Sequence, residues 1–207
     1  IENSAVTTVT VDPASVGGIV TGGTSICSGS TSGLLTLSGN TGTVVKWQSS
    51  VSPFSVWTDI ANTGLTYTSV ALTQTTQFRA VVQSGVCPIA NSAVKTVTVD
   101  PASVGGAVTG GTTICSSSTS GLLTLSGNTG TVVKWQSSIA PFSVWTDIAN
   151  TALTHTSAAL TQTTQFRAVV QSGVCPIANS AVTTVTVDII PTLTSSLTPP
   201  TTCSGSN

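Results

Sequence analysis

The sequence predicts an all-β protein made of tandem β-sandwich domains in an elongated array, and three observations carry that expectation. The first is composition. Of 207 residues, 40 are Thr, 30 Ser and 27 Val, while only 5% are charged and Met is absent. Thr and Val suit the pleated, half-buried surface of a strand, Ser suits turns, and no stretch of ten residues keeps a clean helical apolar period. The second is an internal repeat of 88 residues: Asp12, Asp100 and Asp188 recur at that interval, as do Cys27, Cys115 and Cys203. Residues 13–100 and 101–188 differ at nine positions, among them Tyr67/His155 and Val70/Ala158. The third is apolar alternation broken by turn signals within each unit, and 88 residues is the size of one sandwich of about seven strands.

In the first unit the strands are expected near 17–26, 33–38, 43–49, 55–61, 65–70, 76–83 and 91–99. Ser30-Thr31-Ser32-Gly33, Asn40-Thr41-Gly42, Ser52-Pro53, Asn62-Thr63-Gly64 and Ser84-Gly85 separate them. Strict alternation puts Val45 and Trp47 on one face of 43–49 and Val44, Lys46 and Gln48 on the other. In 76–83 it sets Phe78, Ala80 and Val82 against Gln77, Arg79, Val81 and Gln83. Burying Trp47 and Phe78 leaves Lys46 and Arg79 in water, as the cost of burying an unpaired charge requires. Gly17-Gly18 and Gly22-Gly23, inside a strand-like stretch, read as bulges or close backbone approach. Residues 71–79 look like the corner into the sixth strand of a fibronectin-III-like sandwich.

Residues 1–12 repeat the end of each unit and are expected to be the last strand of a preceding repeat. Residues 13–100 and 101–188 form two domains, and 189–207 begin a divergent third. The chain reads as a segment of a longer array.

Several function classes drop out. A net charge of −1 with five scattered cations leaves no electrostatic footprint for nucleic acid or an anionic membrane. Apolar content of 39% and a mean hydropathy of +0.40 argue against disorder. No apolar run approaches the roughly 20 residues of a membrane span. His155 is the sole histidine and is Tyr67 in the other unit, and no Cys-x-x-Cys occurs, so a zinc site is not expected. Without a repeating base, a carboxylate pair or a metal site, the chain is not expected to be an enzyme or to carry a cofactor. Clustered carboxylates for calcium are also missing from the sequence.

Each unit has two cysteines, Cys27 with Cys87 and Cys115 with Cys175, and Cys203 is left over. Regular cysteine pairs in a Ser/Thr-rich array point to disulfides and an oxidising, extracellular setting. Two pairings compete. Five strand traversals separate Cys27 from Cys87, which sets them at opposite ends of a sandwich and makes Cys27–Cys175 across the domain junction one of two evenly matched candidates. The alternative, Cys27–Cys87 and Cys115–Cys175 within domains, needs one misread strand.

If Val56 and Ile60 face the core, Trp57 and Asp59 face out. Trp57, Lys46, Gln48 and Arg79 then share one exposed face, repeated as Trp145, Lys134, Gln136 and Arg167. Such a face could stack on sugar rings as a ligand-binding surface. The alternative is a structural cation–π contact of Arg79 or Lys46 on Trp57. Thr8 and Thr10, Thr96 and Thr98, and Thr184 and Thr186 alternate with Val, as rows that bind ice or crystalline polysaccharide do and as ordinary strands do.

The residues Gly22-Gly23-Thr24-Ser25-Ile26-Cys27, Leu35-Thr36-Leu37-Ser38-Gly39, Trp47, Tyr67-Thr68, Leu72 through Ala80 and Ser84-Gly85-Val86-Cys87 carry a resemblance. With them each unit resembles the Ig-like repeats of giant Bacteroidota surface adhesins exported by the type IX secretion system, such as the SprB-like gliding adhesins. Residues 191–205 resemble the opening of a PKD-like domain of the same arrays. The resemblance implies an extracellular, outer-membrane-attached filament that adheres to surfaces or polysaccharide, in gliding motility among other roles. Its implied partners are a surface or polysaccharide, lateral copies of itself, and secretion and motility machinery reached through other parts of the protein. Two alternatives stand beside it: a passive stalk whose binding tip lies elsewhere, and the spacer of a secreted polysaccharide-degrading enzyme.

Overall fold

The computed structural model describes residues 2–188, and within them the chain forms two tandem sandwiches with no helix. The expected PKD-like segment and Cys203 lie outside the described residues. The first domain comprises β1 (Ile19–Gly22), β2 (Ile26–Cys27), β3 (Leu35–Ser38), β4 (Thr43–Val51), β5 (Thr58–Ile60), β6 (Thr66–Tyr67), β7 (Thr76–Gln83), β8 (Ala90–Asn91), β9 (Lys95–Val97) and β10 (Val99–Asp100). One sheet runs β1-β3-β6; the other runs β5-β4-β7-β8, with β9 also on β7. The second domain repeats this with β11 (Ala107–Thr109), β12 (Thr113–Cys115), β13 (Leu123–Ser126), β14 (Thr131–Ile139), β15 (Thr146–Ile148), β16 (Thr154–His155), β17 (Thr164–Gln171), β18 (Ala178–Asn179) and β19 (Thr183–Asp188).

The first expected strand is two short ones. β1 pairs antiparallel with β3, whereas β2 crosses over and pairs parallel with β10. Gly22, the last residue of β1, and Gly23 after it both have positive φ, and a Cβ on Gly22 would overlap the Leu34 carbonyl oxygen. Only glycine makes this crossing without strain. It brings Cys27 beside Asp100, at the end where the chain leaves the domain.

The strict alternation expected for β4 is broken. Against β7 the register runs Val44↔Val82 and then Lys46↔Val81, so Val45 is the extra residue of a β-bulge. The insertion flips parity: Val44 and Trp47 both face the core, while Val45 is 42% exposed. Val56 is 70% exposed, because residues 52–57 form the turn and loop after β4 and β5 begins only at Thr58. The alternation that placed Val56 inside therefore has no strand to act on. Val81, assigned to the outer face with Arg79, is buried as well.

Val20, Leu35, Leu37, Val44, Trp47, Phe78, Ala80, Val82 and Val97 make the first core. Tyr67 stands between Trp47 and Phe78, with ring centroids 5.7 and 5.8 Å away. The Trp47 indole N–H donates to the Gly64 carbonyl (2.9 Å), so the largest core side chain leaves no buried donor unpaired. Buried serines complete the backbone bonding. Ser32 and Ser69 each donate a backbone N–H to the other's hydroxyl at 2.9 Å, and the Ser92 hydroxyl accepts from Ala80 N.

Candidate functional site

Trp57, Lys46, Gln48 and Arg79 do come together on the outer face of the β5-β4-β7 sheet. The register explains it: Gln48 lies opposite both Asp59 on β5 and Arg79 on β7. Lys46 Nζ donates to Asp59 Oδ2 and Gln48 Nε2 to Asp59 Oδ1, both at 2.7 Å. Arg79 Nε donates to Gln48 Oε1 at 2.8 Å, and its guanidinium carbon lies 4.1 Å from the centroid of the Trp57 ring. The hydrogen bonds from Lys46 and then Gln48 hold the Asp59 carboxyl below its ordinary pKa. Lys134, Gln136, Asp147, Arg167 and Trp145 reproduce the arrangement in the second domain, with 4.0 Å from guanidinium to ring. The cluster is closed on itself. Asp59 uses both oxygens, Gln48 both ends of its amide, and Arg79 lies over Trp57. Sequence reading placed Asp59 on this face but missed it as the hub, for which the only signal was its cross-strand position.

The second feature is the domain junction. Cys27 and Cys175 form a disulfide with Cα atoms 4.8 Å apart and a sequence separation of 148. Of the two competing pairings, the structure holds the one across the junction. The within-domain pairs Cys27–Cys87 and Cys115–Cys175 do not form, because each domain's two cysteines sit at opposite ends; Cys87 and Cys115 carry free thiols.

Asp100 organises this junction, a role not read from sequence despite the 88-residue recurrence of Asp-Pro. Its carbonyl accepts from Ser28 N (2.9 Å), on the β2 side of the first domain. Its carboxylate accepts from Val174 N (3.1 Å) in the second. Gly173 has positive φ, and a Cβ there would overlap that carboxylate. Asp12 lies likewise against Gly85 and Val86.

The Tyr67/His155 difference changes the second core. His155 stacks between Trp135 and Phe166, at 5.5 and 5.7 Å, and borders a cavity of about 290 Å³ with Ile148, Leu160 and Phe166. Asn150 Oδ1 accepts from Ala152 N, which leaves its amide nitrogen to donate to His155 Nδ1 (3.2 Å), the neutral tautomer protonated at Nε2. Burial lowers the His155 pKa below its ordinary 6.5. The unfolded chain therefore binds a proton that the folded domain refuses. The second domain is expected to lose stability as pH falls through 6.5 toward the depressed folded value, and to lose no more from this group beneath it. Denaturant unfolding at neutral and mildly acidic pH checks this. His155→Tyr should remove the slope, and an unchanged slope in that variant would refute the assignment.

Among the described residues no three His, Cys, Asp or Glu side chains converge to hold a metal ion. Each described unit is thus an Ig/fibronectin-III-like sandwich in a covalently joined tandem. The chain belongs to the family described as a domain of unknown function (DUF8696), whose profile matches residues 16–101 and again 104–189. No curated protein matches it. Among solved structures it is similar to a run of titin domains, with 15% identity and a TM-score of 0.46 over 84% of this chain and 68% of that one. It is also similar to the FN1-FN3 domains of chicken CNTN1, with 13% identity and a TM-score of 0.39 over 76% of this chain and 62% of that one.

Proposed function

We propose that this chain is a load-bearing stalk segment of a long secreted filament displayed at the cell surface, of the kind exemplified by the Bacteroidota adhesins it resembles. The Cys27–Cys175 bridge between domains carries this reading. A disulfide supports an oxidising compartment, and a bridge between neighbouring domains fixes their connection rather than the interior of either. The segment performs no reaction. Attachment to polysaccharide or a solid surface, export by the type IX system and coupling to motility machinery are assigned to other parts of the filament. The closed Lys46–Asp59–Gln48–Arg79–Trp57 network favours stalk over adhesive tip, since a sugar stacking on the guanidinium side of Trp57 would have to displace Arg79.

The test is binding of the oxidised protein to cellulose, chitin, agarose and glass, beside Trp57→Ala with Trp145→Ala. The expected result is no specific binding by either protein. The variant should lose only about 0.5–1 kcal/mol per domain, the worth of an exposed cation–π contact. Binding by the parent that disappears in the variant would make the repeats themselves adhesive. Protease digestion of intact producing cells tests display: repeats protected until lysis would sink the surface assignment.

A further inference from the structure

The cavity beside His155 lies between the two sheets of the second domain, on the side where β15 and β16 are the edge strands. Ile139, Ile148, His155, Ala158, Leu160 and Phe166 form most of its wall. The corresponding hollow of the first domain, about 330 Å³, borders Val51, Leu72 and Thr76 but not Ile60, Tyr67 or Phe78, so it stays outside the core. Three of the nine differences between the units account for this: Tyr67/His155, Val70/Ala158 and Val51/Ile139 all fall on the wall. The first two shorten the side chain, and the third adds one methylene at the end of β14. Nine of a unit's 88 residues line the cavity, and an even spread of nine differences would put about one among them. The divergence between the units is therefore concentrated here.

The lining sets the chemistry of an occupant. It contains no Asp, Glu, Lys or Arg, so a charged group would enter without a counter-charge, at high cost. Most of its polar atoms are already engaged. The Ser157 hydroxyl donates to the Ala158 carbonyl (2.7 Å) and accepts from Ser120 N (3.0 Å), and the Thr164 hydroxyl donates to the Gln162 carbonyl (2.8 Å). His155 accepts at Nδ1 from Asn150, which leaves its Nε2–H, together with the Ser137 hydroxyl, without a protein partner among the described residues. The cavity thus joins an apolar and aromatic wall to two unused hydrogen-bonding groups. Its volume of about 290 Å³ exceeds the roughly 150 Å³ of an apolar cavity that holds benzene, and falls just below the roughly 300 Å³ at which drug-sized sites begin. One ring fits.

We propose that the second domain binds a neutral, single-ring aromatic alcohol of the phenol class, its ring against Leu160 and Phe166 and its hydroxyl at His155 Nε2–H and Ser137. The first domain carries the same chemistry as part of its own chain, since the phenol ring of Tyr67 stands between Trp47 and Phe78. The smaller imidazole keeps that stack in the second domain and leaves room beside it for a phenol from solution. The site is a property of one repeat, not of the array.

The experiment titrates phenol into the full oxidised chain at neutral pH, with calorimetry for the heat and NMR for the imidazole protons. His155 is the sole histidine, so those protons report on this cavity alone. The expected result is saturable binding of one phenol per chain, with the imidazole signals moving in step with the heat. Benzoate, which has the same ring but carries a charge, should bind at least about tenfold more weakly. His155→Tyr with Ala158→Val and Ile139→Val copies the wall of the first domain, where these residues already fit the same sandwich. That variant should keep its circular dichroism and lose at least about tenfold in phenol affinity. The reciprocal Tyr67→His, Val70→Ala and Val51→Ile chain should bind two phenols. The proposal is overturned if phenol shows no saturable binding or binds without moving the imidazole signals. It is equally overturned if benzoate binds as well, if the copied wall binds undiminished, or if the reciprocal chain still binds one.

Discussion

Stretched from its two ends in a force spectrometer, the oxidised protein is expected to extend roughly 500 Å less than the reduced one. The figure is the 148-residue separation of Cys27 and Cys175 at about 3.4 Å per extended residue. Force entering at the N-terminus reaches Cys27 through β1 and β2, crosses the disulfide to Cys175, and leaves through β18 and β19. Residues 28–174, which hold most of both sheets, lie outside that path. Adding a thiol reductant during pulling, or substituting Cys27→Ser, should restore the missing length. Equal extension with and without reductant would show that the bridge does not carry load, and the stalk assignment would fall with it.

The largest single-residue effect on stability is expected at Trp47, not at Trp57. Trp47 is fully buried, touches the main apolar cluster and donates its indole N–H to Gly64. Trp47→Ala should cost about 3–5 kcal/mol through lost burial and the cavity left behind. That is a large share of the roughly 5–15 kcal/mol by which a domain is held together. Denaturant unfolding should then separate into two transitions, the first domain melting well before the second, and Trp135→Ala should reverse the order. If Trp57→Ala were as damaging as Trp47→Ala, the assignment of inner and outer faces would be wrong.

The all-β class, the tandem organisation and the two faces of most strands were legible because each rests on a regular period. The misses fall where one residue breaks a period. Val45 is an extra residue in β4, and counting by twos cannot detect an insertion, so Val44 was set outside and Val45 inside. Val56 was counted as if β5 already ran, but Pro53 and the loop after it delay the strand. Counting traversals set each domain's two cysteines at opposite ends but left the pairing open; the end assignment stands because parity over five strands survives errors at strand ends. It held even though the first strand is split at Gly22-Gly23. The linker aspartates escaped notice because their partners lie about 75 residues downstream in the following domain, and the Ser-Gly-Val-Cys turn reads locally as an ordinary turn. The cluster around Asp59 depended on cross-strand register, which a single strand's sequence does not contain.

A single peptide linker between two bodies is a swivel. At this junction the Asp100-Pro101 link is joined by a second covalent connection at Cys27–Cys175, and the Asp100 carboxylate adds a third point of attachment at Val174. Two separate covalent points confine rotation to one axis, and a third off that axis stops it. Repeats coupled in this way each turn by one fixed angle relative to the last, and a fixed angle repeated along a line makes a screw. A row of side chains such as Trp57 and Trp145 would then wind around such an array with constant pitch.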